Sequence, residues 1–392
     1  MKIKIGVLFG GKSVEHEVSV ITGIQAIENI DKEKYDVIPI YMSKTNEMYV
    51  GNNIGNIEQY KNIPELLKSS QRVVLSGNNG KAQILKYKSS PFQSNIYDDF
   101  DIAFPIVHGT DLEGGALYGF FKILNIPCVG SDILSSSICM DKYMAKCILK
   151  ESNIPVLDCL SFDLNEYKTN LKDIKLRIID KFGFPVIIKP VDSGSSVGIS
   201  IAKDIDELED SIDKAFKYSK RILAEHAIEN MQEINCSVLG DYEYAITSEC
   251  EEPIKSDEIL SYNDKYVSGG KKIGGEKGMN LSGVRLPANI PDNVKNEVQD
   301  LAIKTFKAIG CSGVVRIDFM IDKDSEKVYV NEVNTIPGCL SFHLWKASNL
   351  NYKDLLNNII DITLKRKREE ENILYSFDTN MLQTISLNNH KK

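Results

Sequence analysis

The opening of the chain constrains its fold most. Residues 3–9 form a short apolar run that ends in Gly10-Gly11, which reads as a buried strand followed by a tight turn. Ser13 starts a helical pattern carried by Val18, Ile21, Ile24, Ala26 and Ile27, and residues 35–41 form a second strand. A strand, a helix and a strand over residues 1–42 predict an α/β domain built on a parallel sheet with helical crossovers.

Residues 44–96 are polar and turn-rich and read as an insertion in that domain. The strand pattern resumes at 101–107, a helix is expected over 116–124 and a strand over 127–130, so the first domain ends at 133. A second unit, 134–224, alternates short strands (155–162, 184–189, 198–202) with helices at 135–151 and 205–218. A third, 225–366, is strand-rich at 233–250 and 312–334, around a helix at 293–309, and reads as α+β. Within it, 252–290 is long, polar and glycine-rich, as a functional lid or an insert would be. The tail is 367–392, and the charge run 365–371 reads as a solvated helix end.

Forty-seven basic against 55 acidic residues give a net charge of −8. That argues against a nucleic-acid partner, which selects a basic surface, but not against anionic small molecules in a local positive pocket. No run of about 18 apolar residues exists, so no membrane partner is expected. The first ten residues lack a signal peptide's apolar stretch, and none of the eight cysteines forms a C-x-x-C pair. Reduced, buried thiols in a cytoplasmic protein follow.

Chemistry concentrates in four places. Residues 314–320 alternate, placing Arg316 and Asp318 on one strand face and Val315, Ile317 and Phe319 on the other. After a turn at 322–325, the next strand should put Val330, Glu332 and Asn334 on one face. A hairpin then gathers Arg316, Asp318, Glu332 and Asn334. Two carboxylates and an amide oxygen suit a hard cation bound with substrate phosphates; a solvated face with chance acids is the plain alternative. The second place is Lys189-Pro190-Val191-Asp192-Ser193-Gly194-Ser195-Ser196-Val197-Gly198, joining two strands. It is either an anion-binding turn of backbone N–H groups and hydroxyls or an ordinary serine-rich hairpin. Third, His108-Gly109 follows the strand ending at Val107, where parallel sheets bind ligands. Fourth, Gly6 to Ser13 spells a P-loop motif, but Val7, Leu8 and Phe9 belong inside a strand where that motif needs a loop.

Taken in order, these pieces resemble the D-alanine–D-alanine ligases of the ATP-grasp superfamily over about residues 1–365. The resemblance rests on Phe9-Gly10-Gly11-Lys12-Ser13-Val14-Glu15-His16-Glu17-Val18-Ser19, His108-Gly109, Met140-Asp141-Lys142, Lys189-Pro190 with Gly194-Ser195-Ser196-Val197-Gly198, Arg316-Ile317-Asp318, and Asn331-Glu332-Val333-Asn334-Thr335-Ile336-Pro337-Gly338. It implies an ATP-grasp fold after an N-terminal α/β domain, with ATP as co-substrate clamped between the second and third units. The implied reaction phosphorylates the carboxylate of one D-alanine, after which the amine of a second small D-amino acid attacks the acylphosphate.

The resemblance also implies roles. Lys142, Lys189 and Ser196 would bind ATP phosphates, and Glu225 and Glu233 the adenine and ribose side. Asp318, Glu332 and Asn334 would hold two Mg²⁺ or Mn²⁺ ions, Arg316 would stabilise the transferring phosphoryl group, and the Gly338 N–H would help hold the oxyanion. Glu15 would bind the first D-alanine's ammonium, with Ser195 and Tyr266 fixing the substrates and Lys265 in the covering loop. His108 would line the substrate site. A homodimer in the cytoplasm is expected. Three features depart from the family pattern: Leu112-Glu113-Gly114-Gly115 after His108, a longer segment at 267–290, and Cys339-Leu340-Ser341-Phe342-His343-Leu344-Trp345 after Gly338. His343 then stands where a small serine usually meets the acceptor's carboxylate. D-serine or D-lactate as acceptor is therefore the first alternative, with a P-loop NTPase using Lys12 and a non-catalytic relative behind it.

Overall fold

The computed structural model describes residues 2–88, 94–109, 112–194, 196–254 and 283–376. Three sheets carry the described chain. The first contains β1 (Ile3–Gly10), β2 (Tyr35–Met42), β3 (Met48–Val50), β4 (Gln71–Asn78), β5 (Lys81–Lys86), β6 (Ile96–Phe100) and β7 (Ile102–Val107), in the order β6-β5-β4-β3-β2-β1-β7. As the opening residues require, β1 pairs parallel with β2 and with β7, and helix His16–Asn29 makes the crossover. The supposed insertion is ordered sheet instead: β3, β4, β5 and β6 add on antiparallel. Short alternations such as Val73, then Ala82 and Ile84, bury one face against Phe100 and Phe121, a period-two signal diluted by polar neighbours.

Strands β6 and β7, at the two ends of this sheet, flank Asp101, so the sheet curls until its last strand runs on into its first neighbour. Asp101 secures the bend by accepting the Lys4 N–H at 2.9 Å and pairing with Lys81 at 2.9 Å. Gly6 is needed there, because a Cβ would lie 2.9 Å from the Phe100 ring.

The second sheet contains β8 (Cys159–Asp163), β9 (Val186–Pro190), β10 (Ser200–Ala202) and β11 (Arg221–His226), in the order β10-β9-β11-β8, all antiparallel. Helices Leu164–Phe182 and Ile205–Phe216 bury Ile174, Ile178, Leu208 and Ile212 on one face. The former helix was not anticipated, although Asp163 and Glu166 form a reciprocal capping box at its start. Because β11 pairs throughout with this sheet, the second unit runs past the expected boundary at 224 to His226.

The third sheet contains β12 (Met231–Gly240), β13 (Ala245–Pro253), β14 (Val284–Arg285), β15 (Gly313–Asp322) and β16 (Lys327–Asn334), in the order β14-β13-β12-β15-β16. Helix Asp292–Ile309 packs Val298, Leu301, Ala302 and Phe306 on Ile234, Cys236, Ile317 and Phe319. The opposite face is left for chemistry. Of the lid region 252–290, residues 255–282 lie outside the described residues.

The final helix, Tyr352–Glu370, returns to the first unit: Leu355, Leu356, Ile359 and Ile360 share a core with Ile5, Val7 and Ile24. The charge run does end this helix, with Arg368 and Glu371 exposed as expected, but its first two residues are anchored. Lys365 pairs with Asp241 at 2.8 Å, and Arg366 donates to the Gly130 carbonyl at 2.8 Å, the Tyr118 hydroxyl at 2.6 Å and the Cys128 carbonyl. Six of the eight thiols are buried as expected, but Cys159 is half-buried and Cys147 exposed; all eight are free. Among the described residues, no helix is long and apolar enough to cross a membrane.

Candidate active site

The hairpin β15–β16 sets the centre of the site. Its register places Arg316 opposite Asn334 and Asp318 opposite Glu332, while Val315, Ile317 and Phe319 enter the core. Arg316 grips Asp318 with a two-pronged bond, Nε to Oδ1 at 2.6 Å and Nη2 to Oδ2 at 2.8 Å, and Asn334 Nδ2 donates to Oδ2 at 3.1 Å. Strict alternation would place Val330 beside Glu332 and Asn334. Instead a β-bulge intervenes, because Phe319 pairs with Val330 and Asp318 with Glu332, leaving Asn331 as the extra residue. Val330 is thereby turned fully into the core. Asn331, which the alternation had not pointed to, accepts from Lys189 Nζ at 3.4 Å.

Asp318, Glu332 and Asn334 fit a hard divalent cation by donor type. Two carboxylates are too few to cage such an ion alone, so it would complete its shell with oxygens from water and a bound phosphate.

Facing this hairpin are lysines of the second unit. Lys142 starts helix Lys142–Glu151, whose N-cap Asp141 accepts the Met144 N–H at 2.9 Å and pairs with Arg221 at 2.5 Å. Lys142 Nζ donates to the Ser193 carbonyl at 2.9 Å and lies 3.4 Å from Glu332. Lys189, in β9, pairs with Glu225 of β11. Lys146, one turn after Lys142, pairs with the other oxygen of Glu225 at 2.8 Å. Burial alone would raise the Glu225 carboxyl, but Lys146 and then Lys189 outweigh it and bring it down to about 2. Lys146 was missed because a lysine between the core residues Ala145 and Leu149 reads as a helix-surface residue. Glu233 sits in β12 opposite Met320. Ser196 occupies the turn between β9 and β10 with φ of 58°. Ser195, Lys265 and Tyr266 lie outside the described residues.

The first unit closes the other side. Glu15 is buried at the N-terminus of helix His16–Asn29, and a Cβ on Gly194 would lie 3.3 Å from its Oε2, so the Lys189–Gly198 loop comes close to it. His108 lies 3.2 Å from the Thr22 hydroxyl. Burial lowers its pKa, against the raising effect of nearby Glu15. Glu113 joins this group, accepting the Gly109 N–H at 3.3 Å. Burial, then the charge of Glu15, pushes its carboxyl up to about 8. A carboxylate five residues after His108, at the end of a parallel strand, was the available signal. The P-loop reading fails here: β1 runs through Gly10, Lys12 is exposed with its N–H on Asn46 Oδ1 at 2.8 Å, and the helix starts only at His16.

Gly338 opens a turn in which Cys339, Leu340 and Ser341 take φ of 50°, 51° and 51°. Three left-handed non-glycine residues in a row cost about 1–2 kcal/mol each. No neighbouring atom lies within 4 Å of where a Cβ on Gly338 would sit. His343 follows, and its Nε2 is 2.7 Å from Glu251 Oε2 in β13. Asn235 Nδ2 donates to the other oxygen of Glu251 at 3.0 Å. Burial would raise Glu251, yet His343 first, then Asn235 and Arg316, hold it below the usual carboxylate range.

Two family models, described as the N-terminus and the C-terminus of D-ala D-ala ligase, match residues 4–131 and 148–361. The chain belongs to the D-alanine–D-alanine ligase family. A D-alanine–D-alanine ligase from Caldicellulosiruptor bescii is 38% identical over 379 residues, covering 96% of this chain and 99% of the relative. One from Thermosipho melanesiensis is 36% identical over 382 residues, covering 97% and 98%. Among solved structures, a D-Ala:D-Ser ligase from Enterococcus faecalis matches with a TM-score of 0.76 at 30% identity, covering 93% of this chain and all of that one. The ligase from Coxiella burnetii matches with a TM-score of 0.76 at 28% identity, covering 94% and 96%. A Bacillus anthracis ligase complexed with ATP matches with a TM-score of 0.64 at 26% identity, covering 94% and 99%. The ATP-grasp architecture follows from this likeness. It accounts for two facing units, with lysines on one and carboxylates on the other.

Proposed function

We propose that this protein is an ATP-dependent ligase that joins two D-alanines for peptidoglycan precursor synthesis. One observation carries the reading. Lys142 and Lys189 of the second unit meet Glu332 and Asn331 of the third at 3.4 Å each, with buried Glu15 and His108 at the side of the same cleft. Cations for phosphates therefore face carboxylates for a metal, next to a buried anion suited to an amino acid's ammonium.

In this reading Lys142 and Lys189 hold the ATP phosphates, with Ser196 in the adjoining turn, and Glu225 and Glu233 lie on the adenine and ribose side. Glu15 orients the first D-alanine, with Ser195 and Tyr266, and His108 lines its pocket. Arg316 exchanges part of its grip on Asp318 for the transferring phosphoryl group. Asp318, Glu332 and Asn334 would hold two Mg²⁺ or Mn²⁺ ions, which when bound screen the phosphate charge. The Gly338 N–H then holds the oxygen that becomes negative as the second amine attacks. Lys265 belongs to the lid that keeps water from the acylphosphate. The enzyme works as a homodimer in the cytoplasm, where ATP is supplied.

D-alanine is the acceptor in this proposal. D-serine is the second reading, favoured by one observation: His343, at the position the resemblance gives to the acceptor's carboxylate, is turned onto Glu251. Phosphate release from ATP decides between them. It should be substantial with D-alanine alone and gain little from D-serine or D-lactate. A large gain with D-serine favours the second reading. No release with any of these acids overturns the ligase proposal.

A further inference from the structure

The group around Glu225 holds more positive charge than a structural ion pair needs. Glu225 is fully buried, and its two oxygens are taken separately, Oε1 by Lys189 and Oε2 by Lys146. Lys146 is only 4% exposed, and its remaining bond is a long one, 3.3 Å to the Leu157 carbonyl. It therefore cannot serve as a solvating surface residue. Placing a second ammonium in the interior is costly unless its charge is used.

The charges can be counted. Lys189 and Glu225 alone would form a neutral pair, with Lys189 committed to the carboxylate. Adding Lys146 leaves two cations on one anion, a net charge of +1 in a dry environment. Among the described residues Lys146 has no cleft-facing partner, since it points to Glu225 and Leu157. Lys189 does face the cleft, reaching across to Asn331 on the opposite sheet. The surplus charge is therefore delivered through Lys189, at the point where the two sheets approach.

We propose that Lys146 is a positioning residue for ATP: by holding the Oε2 side of Glu225, it leaves the buried Lys146–Glu225–Lys189 group with one net positive charge, which Lys189 presents to the nucleotide phosphates. This rests on the ATP reading of the cleft and adds to it a residue that touches no substrate.

The test uses the full chain, with ATP affinity measured by calorimetry and Michaelis constants by phosphate release. Lys146→Met keeps the volume but neutralises the group. ATP Kd and KM should rise at least about tenfold, with the D-alanine KM unchanged. Lys146→Arg should stay close to wild type. The decisive comparison is between ATP and adenosine, which carries no phosphate. Adenosine should bind Lys146→Met within about threefold of wild type, so that the loss is confined to the charged ligand. A residue that merely packs the core weakens both ligands alike. Equal losses for ATP and adenosine overturn the proposal, as does a Lys146→Met variant with unchanged ATP affinity. If Lys146→Met does not fold, Lys146→Gln carries the same comparison. Wild-type protein that fails to bind ATP would overturn the ligase reading itself, a separate outcome.

Discussion

Replacing Asp318 or Glu332 by its amide removes one charge from the same cleft, yet the two changes should differ sharply in their effect on folding. The Asp318 side chain is 6% exposed and receives both prongs of Arg316, at 2.6 and 2.8 Å. Asp318→Asn leaves a half-buried guanidinium with one acceptor in place of two and without its nearest counter-charge, a loss of about 3 kcal/mol. In a unit of this size that lowers the melting temperature by about 6–12 °C. The Glu332 side chain is 30% exposed, and its contact with Lys142 is 3.4 Å long. Such a half-solvated pair contributes under about 1 kcal/mol, so Glu332→Gln should melt within about 3 °C of wild type. Both should abolish ATP turnover, through loss of a metal-binding oxygen charge. The assay is thermal unfolding of the ligand-free proteins by circular dichroism, beside phosphate release at saturating ATP and D-alanine. Equal melting temperatures for the two variants would refute the argument that the Arg316–Asp318 fork holds the hairpin. Full turnover in either would refute the metal assignment.

Three further outcomes follow from the same geometry. Glu113 is pushed up to about 8. Between its ordinary 4.5 and about 8 the unfolded chain loses this proton while the folded one keeps it, so stability is lost as pH rises through that window. Glu113→Gln should flatten that part of the melting-temperature profile, and parallel profiles would count against it. His343→Ser should cost about 1–3 kcal/mol in urea unfolding by removing one donor from buried Glu251, and adding Glu251→Gln should restore most of it; no recovery in the pair would break the link. Arg366→Met removes the bonds to Gly130, Tyr118 and Cys128 and should destabilise by about 2–4 kcal/mol, read as a lower urea midpoint; an unchanged midpoint would show that Arg366 does not anchor this helix.

What could be read from the sequence was what repeats at short range. The opening strand–helix–strand needed only residues 3–41, and the pairing of Arg316 with Asp318 needed only the two-residue period of a strand. The bulge at Asn331 was invisible because one inserted residue shifts the phase without changing composition. The same limit hid Lys146 and Glu113, whose roles come from partners 79 and 98 residues away in the chain, Glu225 and Glu15, and not from their neighbours. The anchored charge run at 365–366 belongs with them, since its partners Asp241 and Gly130 lie on other elements. Short alternations such as those of β4 and β5 were lost among lysines and glutamines on the exposed face.

The return of the last helix onto the first sheet has a consequence for synthesis. Ile5, Val7 and Ile24 leave the ribosome long before Leu355, Leu356, Ile359 and Ile360, which complete their core. At about 5–20 residues per second, that apolar face stays uncovered for some tens of seconds. Until that helix is made the first unit cannot finish burying its core, so the nascent chain exposes a sticky surface that only helix Tyr352–Glu370 covers. A message truncated before the last helix would yield an insoluble product, even though every residue assigned here to the reaction lies upstream of the cut.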